Sequence, residues 1–152
     1  MAYWLMKSEP DTFSIDDLKA RPGSREHWDG VRNYQARNMM RDQMKKGDQV
    51  FFYHSACAEP GIAGIATVVK ESYPDHTAQD PESKYFDPKA SVDNPRWFMV
   101  DVKYKRKLKR LIPLKQLKEN PALSEMILVK KGSRLSIMPV SESEWQAILE
   151  ME

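Results

Sequence analysis

The sequence predicts an α+β domain whose strands form a small barrel or a strongly curved sheet. Three observations carry that expectation. Residues 96–109 alternate with a period of two, setting Phe98, Val100, Val102 and Tyr104 against Asp101, Lys103 and Lys105. The runs QVFFYH at 49–54 and GIAGIATVVKE at 61–71 are apolar and rich in β-branched or aromatic residues, as buried strands are. Short segments with helix start and stop signals lie between and beside them. A chain of 152 residues fits one domain, spanning 1–152, with a single core.

In chain order, Tyr3 to Lys7 reads as a first buried strand, closed by Ser8-Glu9-Pro10. Ser14 is the expected N-cap of a short helix, with Asp17 three places on, and Pro22-Gly23 stops it. Asn33 or Asp29 can cap a second helix running to about Met44, where Lys45, Lys46 and Gly47 form a basic end and a stop. The strands at 49–54 and 61–71 follow. In the second, Gly61 and Gly64 signal a bulge or a close approach by another group. Pro74 to Asn94 is polar and contains Pro74, Pro81 and Pro88, so it is expected to be a long surface loop, and such loops are functional or mobile. After the alternating strand, Leu114 to Leu123 reads as a short helix broken by Pro121, and Ser133 to Val140 as a last strand. Ser141 and Glu144 fit a capping box before a C-terminal helix carrying Trp145, Ile148 and Leu149.

Composition excludes several classes. Hydrophobic residues make up 41% and charged residues 30%, which is ordinary globular usage and excludes wholesale disorder. One cysteine, Cys57, permits no internal disulfide and no CxxC metal spacing, and fits a reducing compartment such as the cytoplasm. MAYWLMKSEP has too short an apolar run for a signal peptide, and no run of about 18 apolar residues suggests a membrane span. With a net charge of only +2, any affinity for nucleic acid must come from local clusters of Lys and Arg.

Catalytic patterns are sparse. His27, His54 and His76 sit at no metal-ligand spacing, no phosphate-cradling glycine loop is present, and no metal or cofactor is expected. His54 and Ser55 are strand neighbours pointing to opposite faces, which argues against a base and nucleophile pair and for a structural or ligand-contacting His54. Lys103, Lys105, Lys107 and Lys109 share one strand face by alternation, as edge protection or as a phosphate track. In WDGVRNYQARNMMR at 28–41, Arg37 and Arg41 share a helix face with Lys45, while Tyr34, Ala36, Met40 and Met44 cover another. Arg32 stands at the helix start, where a positive charge opposes the dipole unless it meets an anion. Trp28, Trp4 and Tyr53 are candidates for stacking on a planar ligand.

YWLMKSEP at 3–10, WDGVRNYQARNMMR at 28–41, GDQVFFYHS at 47–55, GIAGIATV at 61–68 and GSRLSIMPV at 132–140 together resemble the EVE domain, in that family's order and over nearly the whole chain. The resemblance implies a PUA-like fold, a small strongly curved β-barrel with helices in its gaps. That superfamily includes the YTH domain, which reads methylated adenine in RNA, and readers of modified cytosine in DNA. The resemblance therefore implies a non-catalytic domain that binds DNA or RNA carrying a modified base. A nucleic-acid-processing enzyme and a small-molecule or protein-interaction module are the alternatives. For a reader, Trp28 and Tyr53 would supply stacking faces, with Trp4 closing the wall or packing beneath it. Lys7, Ser8, Asn33 and Ser55 would bond the base edge, and Gly61 and Gly64 would let backbone approach. Arg32, Arg37 and Arg134 would meet phosphates, with Tyr34 and His54 completing the ligand-contacting set.

Overall fold

In the computed structural model, which describes residues 1–131 and 134–152, the chain runs β1 (Tyr3–Ser8), α1 (Ile15–Ala20), β2 (Arg25–His27), α2 (Tyr34–Asp42), β3 (Gln49–His54), β4 (Gly61–Pro74), β5 (Phe98–Pro113), α3 (Leu114–Glu119), β6 (Ile137–Val140) and α4 (Glu142–Leu149). The strands form one sheet in the order β2-β5-β4-β3-β1-β6. β1 runs parallel to β3, and every other pairing is antiparallel. β2 and β6 are the two edges, and no pairing joins them among the described residues. The expected barrel is thus corrected to an open mixed sheet. Register shifts between β4 and β5 at Ile62/Gly64, Ile65/Ala66 and Val68/Lys70 bend the two longest strands locally.

Both faces of the sheet are covered, which explains why its central strands read as unbroken apolar runs instead of alternating ones. Trp4, Met6, Val50 and Phe52 point to one face, against Ile15 and Leu18 of α1 and Ala36, Met39 and Met40 of α2. Leu5, Phe51 and Tyr53 point to the other, against Leu117 of α3 and Trp145 and Ile148 of α4. Trp145 stacks on Phe51 at 3.7 Å between ring centroids.

The helix signals hold where side chains cap. Ser14 and Asp17 form a reciprocal capping box at α1, and Ser141 and Glu144 form one at α4. Asn33 caps α2 by accepting from the Ala36 N–H. The helix ends at Asp42 instead of Met44, with the Met44 N–H returned to the Met39 carbonyl. Asn120 caps a separate turn at Pro121–Leu123, so the segment from Leu114 splits in two. β2 is an addition: Arg25, Glu26 and His27 carry no apolar signal, and pairing with β5 alone makes them a strand. The last strand begins at Ile137, and its expected start at Ser133 lies outside the described residues. The lysine track on β5 is also corrected. A register shift beside Tyr104 and Arg106 breaks the alternation, so Lys105 bonds Gln49 at 2.9 Å while Lys107 pairs with Asp16 of α1 at 3.2 Å. Among the described residues no helix is long and apolar enough to cross a membrane.

Asp48, in the turn before β3, is a buried carboxylate. Its carboxylate accepts from the Trp4 indole at 3.0 Å, the Ala2 N–H at 3.0 Å and the Lys45 N–H at 2.9 Å. That set ties the start of β1 to the turn before β3. Asp48→Ala leaves these donors without a partner and is expected to cost about 3 kcal/mol or more, measured by chemical denaturation. At the other end, Arg106 forks onto Glu152 at 2.8 and 2.7 Å, and the Lys109 N–H adds a third bond at 3.0 Å. The Arg106 fork is the main reason the Glu152 carboxyl is pulled down to about 2. A depressed carboxyl stabilises the fold above its ordinary value and loses that contribution as pH falls towards 2. The stability difference between wild type and Glu152→Gln is therefore expected to be constant above about pH 5 and to shrink through acid denaturation below it.

Candidate functional site

β1, the turn after it, β2 and the long segment after β4 enclose a cavity of about 520 Å³. Lys7, Ser8 and Glu9 enter from the end of β1, and Phe13 from the turn before α1. Glu26 to Arg32 form a continuous wall from β2 to the start of α2, and Lys84 and Tyr85 join the lining from the long segment. A second groove of similar size is lined by Pro60, Pro113 and Leu114 and contains no aromatic ring. Of these two, the first offers a planar ligand stacking faces.

The wall holds together through its backbone. The Trp28 N–H donates to the Val100 carbonyl at 2.7 Å, continuing the β2 pairing by one residue. The Trp28 ring then meets Phe52 edge-on at 5.5 Å and stays 9% exposed, so the core fixes it while one edge reaches the cavity. Phe13 leans on the same Phe52 at 6.3 Å, and its carbonyl accepts from the Ser8 hydroxyl at 2.6 Å. Ser8 is thereby oriented with oxygen lone pairs still available. Lys7 has no carboxylate partner within ion-pair distance among the described residues, and burial lowers its pKa from the ordinary lysine value. A half-buried ammonium without a partner favours a ligand that supplies an acceptor. His27 lies between Glu26 at 2.9 Å and Asp29 at 3.5 Å, so this side of the cavity is acceptor-rich.

Tyr85 is held by a network centred on Asp75, which is fully buried. Asp75 accepts from the Gly30 N–H at 2.9 Å, from Arg32 at 3.1 Å and from both the N–H and the hydroxyl of Thr77. Burial alone would raise its pKa, but the Thr77, Gly30 and Arg32 donors together keep it below the ordinary carboxylate value. Arg32 also donates twice to the Tyr85 carbonyl, at 3.2 and 2.7 Å, and its guanidinium lies 5.6 Å from the Tyr85 ring. Gly30 completes the seat. Its φ is +77°, and a Cβ there would stand 2.5 Å from Tyr85 Cζ. The ring can lie on this turn because residue 30 has no side chain.

The structure brings Lys7, Ser8, Trp28 and Arg32 to the cavity. Arg32 is corrected in role: the anion it meets is the protein's own Asp75, and its donors end on protein oxygens. Asn33 spends its side-chain oxygen on the helix cap and is off the cavity lining. Trp4 and Tyr53 are each 3% exposed and belong to opposite core layers, so neither walls the cavity. His54 accepts from the Ile15 N–H at 3.1 Å, anchoring α1, and burial pulls its pKa below the ordinary imidazole value. The Ser55 N–H extends the β1–β3 pairing to the Ser8 carbonyl. The close approach at Gly61 is by the Ile112 carbonyl and that at Gly64 by Ile15, so strand and helix occupy the space expected for a ligand. Tyr34 and Arg37 lie outside the cavity beside Trp97, and Arg134 is exposed, also off the lining. Phe13 and Tyr85 were absent from the sequence-based site. Phe13 gave no signal, and for Tyr85 the length of its loop was the one hint.

The EVE domain profile matches residues 2–151. Human thymocyte nuclear protein 1 is 47% identical over 168 residues, covering 99% of this chain and 74% of that protein. The crystal structure of the human THYN1 protein in complex with 5-methylcytosine containing DNA superposes with a TM-score of 0.94 at 46% identity, covering 99% of this chain and 97% of that one. The YTH domain of Zygosaccharomyces rouxii MRB1, solved in complex with N6-methyladenosine RNA, has a TM-score of 0.54 at 12% identity, covering 99% and 83% of the two chains, and shares the fold alone. With the match running through every strand and helix described above, the chain belongs to the EVE domain family.

Proposed function

We propose that this protein is a non-catalytic reader of a modified base in DNA, with 5-methylcytosine the favoured ligand and the cavity beside Trp28 and Tyr85 the place where the base is held. The observation that carries this reading is the human relative's complex with 5-methylcytosine containing DNA, in a structure nearly superposable on this one. The chemistry of the cavity supports it. A base inspected for a small modification must leave its stack and enter an aromatic or apolar slot. Phe13, Trp28 and Tyr85 supply ring surface, and Val31 adds an apolar patch for a methyl group.

The polar lining suits the edge of cytosine. Its exocyclic amine donates, and Asp29 and Glu9 are acceptors on the lining. Its ring nitrogen and carbonyl accept, and Lys7 is a donor in need of an acceptor. Lys84 and Arg21 on the lining would meet the phosphates on either side. The fold shared with a YTH domain supports assigning the open sheet to the PUA-like class.

Binding of two oligonucleotides that differ in one cytosine methyl group tests the reading. Burying that methyl is expected to favour the methylated strand by about 0.8 kcal/mol, about fourfold in Kd. Tyr85→Ala should remove the preference, and Gly30→Ala should weaken it by displacing the Tyr85 ring. Equal wild-type affinities, or a preference that survives Tyr85→Ala, would sink the reading.

A further inference from the structure

Outside the cavity, aromatic and guanidinium groups stack in a column that begins at Tyr85 and ends at the surface. Arg32 lies between Tyr85, at 5.6 Å, and Trp97, at 5.4 Å. Trp97 is buried, and Tyr34 stacks on it at 4.7 Å with an interplanar angle of 26°. Tyr34 itself is 47% exposed, unusual for a ring in a stack.

The arginines beside Tyr34 leave its outer face open. Arg37 lies 4.7 Å from the Tyr34 ring and 5.9 Å from the Trp97 ring. Arg96 lies 5.9 Å from the first and 6.0 Å from the second. A group across Tyr34 from Trp97 would be far more distant from Trp97, so both arginines flank the stack instead of capping it. Arg96 is held there at some cost: its φ is +60°, a left-handed conformation disfavoured for a residue with a Cβ. The Arg37 guanidinium fixes it through the Arg96 carbonyl at 2.8 Å, Asp87 pairs with it at 3.1 Å, and the Tyr34 hydroxyl bonds it. Arg37 has no carboxylate within ion-pair distance among the described residues. Its remaining donors end on the neutral Asn38 oxygen.

An open aromatic face beside an uncompensated guanidinium matches a nucleotide, whose base stacks and whose phosphate pairs. We infer that Tyr34 and Arg37 form a second nucleic-acid contact, on which an unpaired neighbouring base of the bound strand stacks while its phosphate meets Arg37. This rests on the reading of the cavity for the identity of the strand, but the contact itself requires no modified base. It adds affinity without adding selectivity.

Fluorescence anisotropy with a labelled single-stranded oligonucleotide carrying one 5-methylcytosine, and with its unmethylated twin, tests the inference. Tyr34→Ala should weaken both by the same factor, about tenfold, and leave their ratio unchanged. Tyr34→Leu, which keeps Trp97 covered but offers no aromatic face, should do the same, and Tyr34→Phe, which keeps the ring but loses the bond from Arg96, should lose less than Tyr34→Leu. Arg37→Gln should lower the slope of log affinity against log salt by about one. Wild-type affinity in Tyr34→Leu, or a loss confined to the methylated strand, would overturn the contact. A wild type blind to methylation whose affinity still falls in Tyr34→Leu would defeat the cavity reading and leave the contact standing. A wild type that binds neither strand would overturn both.

Discussion

Asp75 is a fully buried carboxylate that stays below the ordinary carboxyl pKa because four donors converge on it, and the shape of the cavity depends on that convergence. Two donors come from Thr77, immediately after β4, and two from the turn before α2, through Gly30 and Arg32. Distant parts of the chain are thereby pinned to one pair of oxygens. Removing the carboxylate would leave Arg32 as a partly buried cation without its counter-ion, a costly state in a low-dielectric interior. Tyr85 reaches the cavity as a consequence, because the same guanidinium that pairs with Asp75 grips the Tyr85 carbonyl.

The sheet provides the rigid side of the cavity. Because β1 and β3 are covered on both faces, Phe52 cannot shift without disturbing a core layer, and both Phe13 and Trp28 rest on it. Rings built on a packed strand thus share the cavity with a ring from a long loop, seated on the Gly30 turn. The first hold their place through burial and the second through hydrogen bonds. Such a division suits recognition of a flat ligand, since stacking needs one firm face and one that completes the slot.

Much of this fold was legible in local sequence. The run at Gln49–His54 is a strand with the boundaries its composition suggests, and Ser14, Asn33 and Ser141 cap helices as their side-chain chemistry requires. What stayed hidden was set by contacts between distant residues. Arg32 signalled a nearby anion, but nothing local said that the anion is Asp75. Nothing local marked Gly30, yet its missing Cβ makes room for a tyrosine from another loop. Trp4 and Trp28 were indistinguishable until Asp48 claimed the Trp4 indole. Tyr53 shows the limit of alternation: its period separates it from Phe52 but does not say which face holds the cavity.

We propose that the base enters beside Trp28 and Tyr85. Chemical-shift mapping of the ¹⁵N-labelled protein with a 5-methylcytosine oligonucleotide tests it most directly. The largest changes are predicted at the Ser8 amide, the Gly30 and Tyr85 amides and the Trp28 indole N–H, all at the cavity. Changes concentrated around Pro60 and Leu114 at the second groove, with those four signals unmoved, would contradict the account.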